Sequence, residues 1–182
     1  MRLNTGLILT GTRGSGKSTI AYAIAQEVSD SVIVPAVTTR AKRRDDRPGA
    51  YRYFSPEEFA VLVTNEKLLV KSRYGAAAYG IVAADVAQSI ECGALPILTI
   101  TPEATHELVA KDASIHWLGL FLDASDDLLD SRLVGDGRPP SGDDWAQRRE
   151  DRSWAQPPLV CLMNTGSLTE AVQAVLAIIN DH

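Results

Sequence analysis

Little in this chain points to a membrane, a metal cluster or a nucleic-acid surface. Among 182 residues there are two cysteines and three histidines, and the net charge is −5. Cys92 and Cys161 lie far apart in apolar surroundings and match no metal-ligand spacing. The sequence therefore predicts buried, reduced thiols. His106, His116 and His182 also lack ligand spacing and read as structural or solvated. The acidic balance leaves no broad basic surface for nucleic acid. No apolar run has the length of a membrane span, and the N-terminus lacks the apolar core of a signal peptide. Repeats and low-complexity stretches are missing too. One soluble, cytoplasmic domain, monomeric or homodimeric, is the expectation.

What is present begins near the N-terminus. Gly11-Thr12-Arg13-Gly14-Ser15-Gly16-Lys17-Ser18 matches the phosphate-binding pattern G-x-x-x-x-G-K-[ST]. The apolar run Leu7-Ile8-Leu9 precedes it as a buried strand, and Thr19 to Val28 follows as a helix. Gly14 and Gly16 let the backbone turn tightly and bring its N–H groups to an anion. The new helix adds its positive dipole end. Lys17 can reach terminal phosphates, and the Ser18 hydroxyl suits Mg²⁺. ATP and Mg²⁺ are the predicted cofactors, with Thr12, Ser15 and Thr19 completing the cradle. A Gly-rich turn without a ligand is the bland alternative. Arg13 reads either as a phosphate contact or as a solvated loop tip.

Five apolar runs have the length of buried parallel strands: Leu7–Thr10, Val32–Ala36, Leu95–Ile100, Trp117–Leu122 and Leu159–Met163. Helical segments are predicted over Ile20–Val28, Ala83–Glu91, Pro102–Lys111, Asp126–Leu133 and from the capping box Ser167-Leu168-Thr169-Glu170 towards Asn180. The alternation predicts an α/β fold with a parallel five-stranded sheet flanked by helices. Two segments interrupt it. Val37 to Gly80 holds short β pieces (Tyr51–Phe54, Leu68–Arg73) and a helix after the box Ser55-Pro56-Glu57-Glu58. Val134 to Asp144 carries Gly135, Gly137, Pro139, Pro140 and Gly142, too many breakers for regular structure. With Arg148-Arg149 after it, that stretch reads as a mobile lid or an ordinary exposed loop.

The densest basic run is Arg40, Lys42, Arg43, Arg44 and Arg47, interleaved with Asp45 and Asp46 and closed by Pro48-Gly49 and Tyr51. It follows Thr38-Thr39 at a strand end, where α/β proteins bind ligands. Arginine forks suit phosphate oxygens. A second cationic set, Arg132, Arg138, Arg148, Arg149 and Arg152, surrounds the lid. Asp123, ending the fourth strand, could hold a metal-bound water or cap the next helix.

The ordered set of P-loop, Thr38-Thr39-Arg40, Arg43, Gly49-Ala50-Tyr51-Arg52-Tyr53-Phe54, Glu58-Phe59, Tyr79-Gly80, Arg132-Leu133 and Arg148 resembles the guanylate kinase superfamily. The resemblance implies a P-loop core (1–36 and 81–182), an acceptor-binding subdomain (37–80) and a lid (134–147). It also implies that Thr38, Arg40, Arg43, Tyr51 and Tyr79 hold an acceptor phosphate. Arg132 would contact the donor nucleotide, and Arg138 and Arg148 would act with Lys17 in catalysis. The partner would be a small phosphorylated acceptor. Three departures bear on that acceptor. Ala36 and Val70 replace the family's guanine-reading Ser and Glu, and Leu98-Thr99-Ile100-Thr101 replaces an L-D-I-D strand end. The Gly137-Arg138 pair and Asn164-Thr165-Gly166 look like ribose 1,5-bisphosphate phosphokinase. Ribose 1,5-bisphosphate or a related sugar phosphate or nucleotide is therefore the expected acceptor. A guanylate kinase, a catalytically weak binding module of the same family and a P-loop kinase of specialised metabolism are the alternatives.

Overall fold

The computed structural model describes residues 4–44 and 46–181; Asp45 and His182, named above, lie outside the described residues. The chain opens with β1 (Thr5–Gly11), buried at every position, and turns into α1 (Lys17–Glu27). Two short strands follow, β2 (Ser31–Ile33) and β3 (Ala36–Thr38). Then come β4 (Tyr51–Tyr53), α2 (Pro56–Thr64), β5 (Leu68–Tyr74), β6 (Ala77–Val82) and α3 (Ala83–Glu91). The rest is β7 (Leu95–Thr99), α4 (Pro102–Lys111), β8 (His116–Asp123), α5 (Asp126–Gly135), α6 (Gly142–Ser153), β9 (Val160–Met163) and α7 (Leu168–Asp181).

The core sheet has the order β2-β7-β1-β8-β9, with every pair parallel. Side chains of β1 alternate between its two faces. Leu7 and Leu9 pack with Ile20 and Ile24 of α1 and Val172 and Val175 of α7. Ile8 packs on the other side with Val86, Ala104 and Leu108 of α3 and α4, and with Val70 and Ile81 of the second sheet. The two sheets therefore share a core, which fixes the second sheet against the strand ends. Gly11 is required where β1 meets β8, because a Cβ there would lie 2.0 Å from the Leu122 carbonyl oxygen.

The second sheet has the order β4-β3-β6-β5. Its strands come from the segment expected to bind the acceptor. Val32–Ala36 is not one strand: it divides at Pro35, with β2 in the core sheet and β3 in the second. Proline has no N–H to continue a ladder. Val34 N–H still bonds Ile97 O, and Ala36 N–H already bonds Ala50 O across the change of sheet.

The stretch expected to be irregular to Asp144 is so only over 136–141. Val134 and Gly135 end α5, and Gly142 opens α6. A capping box holds this start: Ser141 accepts from Asp144 N–H, while the Asp144 carboxylate accepts from Ser141 N–H at 2.9 Å. Both cysteines are exposed rather than buried. Cys92 lies just past α3, and Cys161 lies on the outer strand β9, where Val160 and Met163 are exposed as well. No helix among the described residues is long and apolar enough to cross a membrane.

Candidate active site

The phosphate-binding loop ends at Gly16, the N-cap of α1, in the left-handed region at φ 92°. A Cβ there would meet the Asn164 amide nitrogen at 2.9 Å. No side chain caps this helix. The first backbone bond of α1 runs from Ile20 N–H to Gly16 O, so the N–H groups of Lys17, Ser18 and Thr19 emerge from the helix end. Ser18 and Thr19 are exposed, whereas Thr12 and Ser15 are fully buried in the loop's framework. Ser15 O accepts from the Asn164 side chain at 2.8 Å, which pins the loop to the end of β9. The backbone cradle and the exposed Ser18 hydroxyl fit a polyphosphate with Mg²⁺.

Lys17 arches over the loop and donates to Gly11 O at 2.9 Å and Thr12 O at 2.7 Å. Burial pulls its ammonium down to about 8; Asp151 and Asp123 oppose the shift, and Arg13 adds to it.

α6 forms a roof on this loop, and charged side chains make the contact. Asp144, Arg148 and Asp151 are buried at helical spacing on one face. Arg13 pairs with Asp144, the residue that caps α6. At the other end, Thr12 Oγ1 donates to Asp123 at 2.9 Å, and Arg152 donates to the same carboxylate at 2.8 Å. Burial pushes Asp123 up, but bonds from Arg152, the Ala124 N–H and Thr12 outweigh it and hold the carboxyl below its usual range. Asp123 thus neither caps α5, whose N-cap is Ser125, nor stands free for a metal-bound water. Burial pushes the Asp151 carboxyl up, with Gln147 and Lys17 opposing.

The loop, the second sheet and the ends of α5 and β7 enclose a cavity of about 670 Å³. Of the residues expected to bind phosphate groups, Gly11, Arg13, Gly14, Gly16, Lys17, Ser18, Thr19, Arg40, Arg43, Tyr51, Tyr79, Arg132 and Arg138 line it. Arg132 donates to Asn164 O at 2.9 Å and keeps a second, buried nitrogen without a hydrogen bond among the described residues. Arg138 bonds Asp136 at 2.7 Å.

Four expected residues do not line it: Thr12 and Ser15, buried in the loop's framework, and Thr38 and Arg148. Thr38 is fully buried; its hydroxyl donates to Ala78 O and accepts from Arg40 N–H, so it shapes the loop that aims Arg40. Arg148 is 1 % exposed and lies 2.6 Å from Asp130. It belongs to the α5–α6 packing, where a buried guanidinium needs a carboxylate.

Beside the second sheet Arg40 binds Asp46 in a two-pronged pair at 2.7 and 3.0 Å and lies 4.9 Å from the Tyr51 ring centre. Burial alone would raise Asp46; bonds from Arg40, the Arg43 N–H and Tyr53 win and hold it at about 2. Arg47 covers the Tyr22 ring at 4.5 Å, tying the basic loop to α1. Sequence reasoning missed Lys71, Ser72, Tyr74, Asp136 and Asp151 as lining residues, and Arg47 of the basic run also lines the cavity. Alternation along β5 was the available signal for Ser72 and Tyr74. Ala36, Val70, Thr99 and Thr101 also face the cavity, and Thr101 caps α4.

Residues 4–141 match the family model for guanylate kinase. The guanylate kinase of Jannaschia sp. strain CCS1 is 30 % identical over 150 residues, covering 81 % of this chain and 68 % of that protein. That of Granulibacter bethesdensis is 31 % identical over 137 residues, covering 74 % and 63 %. The chain spans about two thirds of the length of these relatives. The crystal structure of guanylate kinase from Anaplasma phagocytophilum superposes with a TM-score of 0.77 at 17 % identity, over 100 % of this chain and 87 % of the other.

Proposed function

The chain belongs to the guanylate kinase family of P-loop phosphotransferases, and from that premise we propose that it moves the γ-phosphoryl group of ATP onto a phosphate of a small acceptor read without guanine-specific contacts. One observation carries this reading: the uncapped N–H cradle at Gly16 opens into the same cavity as Arg40, Arg43, Tyr51 and Tyr79.

The new bond joins an acceptor phosphate oxygen to the γ-phosphorus, and the bond to the β–γ bridging oxygen breaks. A phosphate nucleophile is already ionised near neutral pH, so no general base is needed. Lys17 stabilises charge on the moving group, helped by Arg138 and Arg132. Ser18 would hold Mg²⁺, which supplies charge neutralisation on the donor phosphates. Arg40 and Arg43 grip the acceptor phosphate, with Tyr51 and Tyr79 beside it. Thr38 acts through Arg40, and Arg148 by holding α6 over the loop. The pair with Asp46 keeps Arg40 oriented for the incoming anion.

Ala36 and Val70 offer nothing to the hydrogen-bonding edge of guanine, and a site without its polar readers selects poorly. Arg43, Arg47 and Lys71 line the cavity in addition to the Arg40–Asp46 pair. This cationic surplus favours an acceptor with a second anionic group, ribose 1,5-bisphosphate or a related sugar phosphate or nucleotide.

ADP release is to be followed across GMP, dGMP, AMP, CMP, UMP and ribose 1,5-bisphosphate. Stimulation by an acceptor other than GMP is expected. A strong signal confined to GMP would overturn the reading of Ala36 and Val70. Binding of ATP with no ADP release on any acceptor would favour a binding module.

A further inference from the structure

The sheet that grips the acceptor carries a side chain that no reading of the sequence assigns. Paired positions place Tyr53, Thr38, Tyr79 and Ser72 in one row across β4, β3, β6 and β5. β3 and β5 both run antiparallel to β6, so they point the same way. Two residues beyond this row, β3 leads to Arg40 and β5 leads to Tyr74. The two therefore stand at the same end of the sheet. Side chains two apart on a strand share a face, so Tyr74 follows Ser72 and Val70 on the cavity side. Its electrostatic neighbours complete the placement. They are Asp151 and Asp144 of α6, Arg13 of the phosphate-binding loop, and Tyr79. Tyr74 therefore sits where the acceptor sheet, the loop and its roof converge. Half-buried there, its hydroxyl has no hydrogen-bond partner among the described residues, whereas the hydroxyl of Tyr53 bonds Asp46 at 2.7 Å.

Resting on the phosphotransfer reading above, we propose that Tyr74 is a further catalytic residue, whose phenol donates a hydrogen bond to the phosphoryl group as it passes from donor to acceptor. The step breaks the bond to the β–γ bridging oxygen and forms the bond to the acceptor oxygen; the phenol keeps its proton throughout. Burial, then Asp151, raises Tyr74 to about 12, so the donor stays protonated across the working range of pH. A neutral donor aimed at the equatorial oxygens adds stabilisation where Lys17 and Arg138 bring charge.

The test uses Tyr74→Phe, which keeps the ring, with Arg73→Ala on the opposite face of β5 as a control for strand integrity. With the acceptor that releases ADP fastest, Tyr74→Phe is expected to lower kcat roughly 100-fold while both KM values stay within about threefold. Unchanged kcat, or a raised acceptor KM at unchanged kcat, overturns the proposal. A second measurement needs no acceptor turnover. The affinity of ADP with Mg²⁺ and aluminium fluoride, a mimic of the transferring group, is compared with that of ADP and Mg²⁺. Tyr74→Phe is expected to erase about tenfold of the mimic's advantage and leave ADP affinity intact. An undiminished advantage overturns the role of Tyr74 even where no tested acceptor is phosphorylated, an outcome that would itself count only against the phosphotransfer reading.

Discussion

Around the phosphate-binding loop, Arg13 is committed to Asp144, and Thr12 reaches Arg152 through Asp123. On the second sheet Ser72, Tyr74 and Tyr79 present hydroxyls that the described protein leaves unbonded. The donor end is thus assembled before any ligand arrives, while the acceptor end leaves much of its bonding capacity to the ligand. Arg40 is the exception, because Asp46 holds it ready. The difference matches the chemistry asked of each end. A triphosphate tail presents the same oxygens whatever the nucleoside, so a rigid backbone cradle suits it. An acceptor varies, and a wall of hydroxyl and apolar groups can be retuned by single substitutions.

The largest effect should come from the donor end. Lys17→Ala is expected to lower kcat/KM about 10³-fold, since one charge near the moving group is worth several kcal/mol in a partly shielded site. ADP release under saturating ATP measures it, and undiminished turnover would remove Lys17 from the mechanism. At the acceptor end Arg40→Met should raise the acceptor KM roughly 100-fold, the scale of a lost charged hydrogen bond. ATP affinity measured by calorimetry should then stay within about threefold. A comparable loss of ATP affinity would show that the two ends are not separable.

A smaller effect compares the two internal capping boxes. Asp144→Ala removes both the N3 partner of Ser141 and the tie to Arg13, so about 2 kcal/mol of stability should be lost. Ser55→Ala, in the exposed box of α2, should cost about 1 kcal/mol or less. Denaturant unfolding measures both. Equal losses would show that the Arg13 tie adds nothing beyond the cap.

The sequence made the phosphate-binding loop legible because its pattern dictates residue types, and Gly16 stands where the left-handed turn into α1 requires it. The capping boxes at Ser55 and Ser167 and the exact span of α3 followed from local rules alone. α6 escaped for a physical reason. Its buried stripe is Asp144, Arg148 and Asp151, so no apolar period marks it, and Gly142 beside Pro139 and Pro140 resembles a loop. The capping box at Ser141 was visible but carries Asp at its fourth position rather than the more familiar Glu. The carboxylates that bury Arg148, Asp126 and Asp130, were not legible either, since an arginine's position in sequence does not say which carboxylate will pair with it. Ser72 and Tyr74 were missed because alternation along β5 shows two faces without showing which one meets the phosphates. Val32–Ala36 reads as one apolar strand, but Pro35 lacks the N–H to continue the ladder, and pairing passes from Ile97 at Val34 to Ala50 at Ala36.

The smallest effect is a fraction of a proton, and it probes the committed state of the donor end. With its ammonium pulled down to about 8, Lys17 in the free protein is about nine tenths neutral at pH 9. A triphosphate beside it favours the charged form, so ATP binding at pH 9 should take up close to one proton, and almost none at pH 6.5. Calorimetry in buffers of different ionisation enthalpy reads this number directly, and Lys17→Met should abolish the uptake. The sign for folding is consistent. A lysine lower in the folded state than its ordinary value of 10.5 binds fewer protons folded than unfolded between pH 8 and 10.5. Its contribution to stability therefore improves as pH rises through that window, and the cost of burying the charge is fully present below it. An uptake near zero at pH 9 would mean that Lys17 is already charged in the free protein. Asp151 and Asp123 would then outweigh its burial, and the donor end would hold its charge in place before the phosphates arrive.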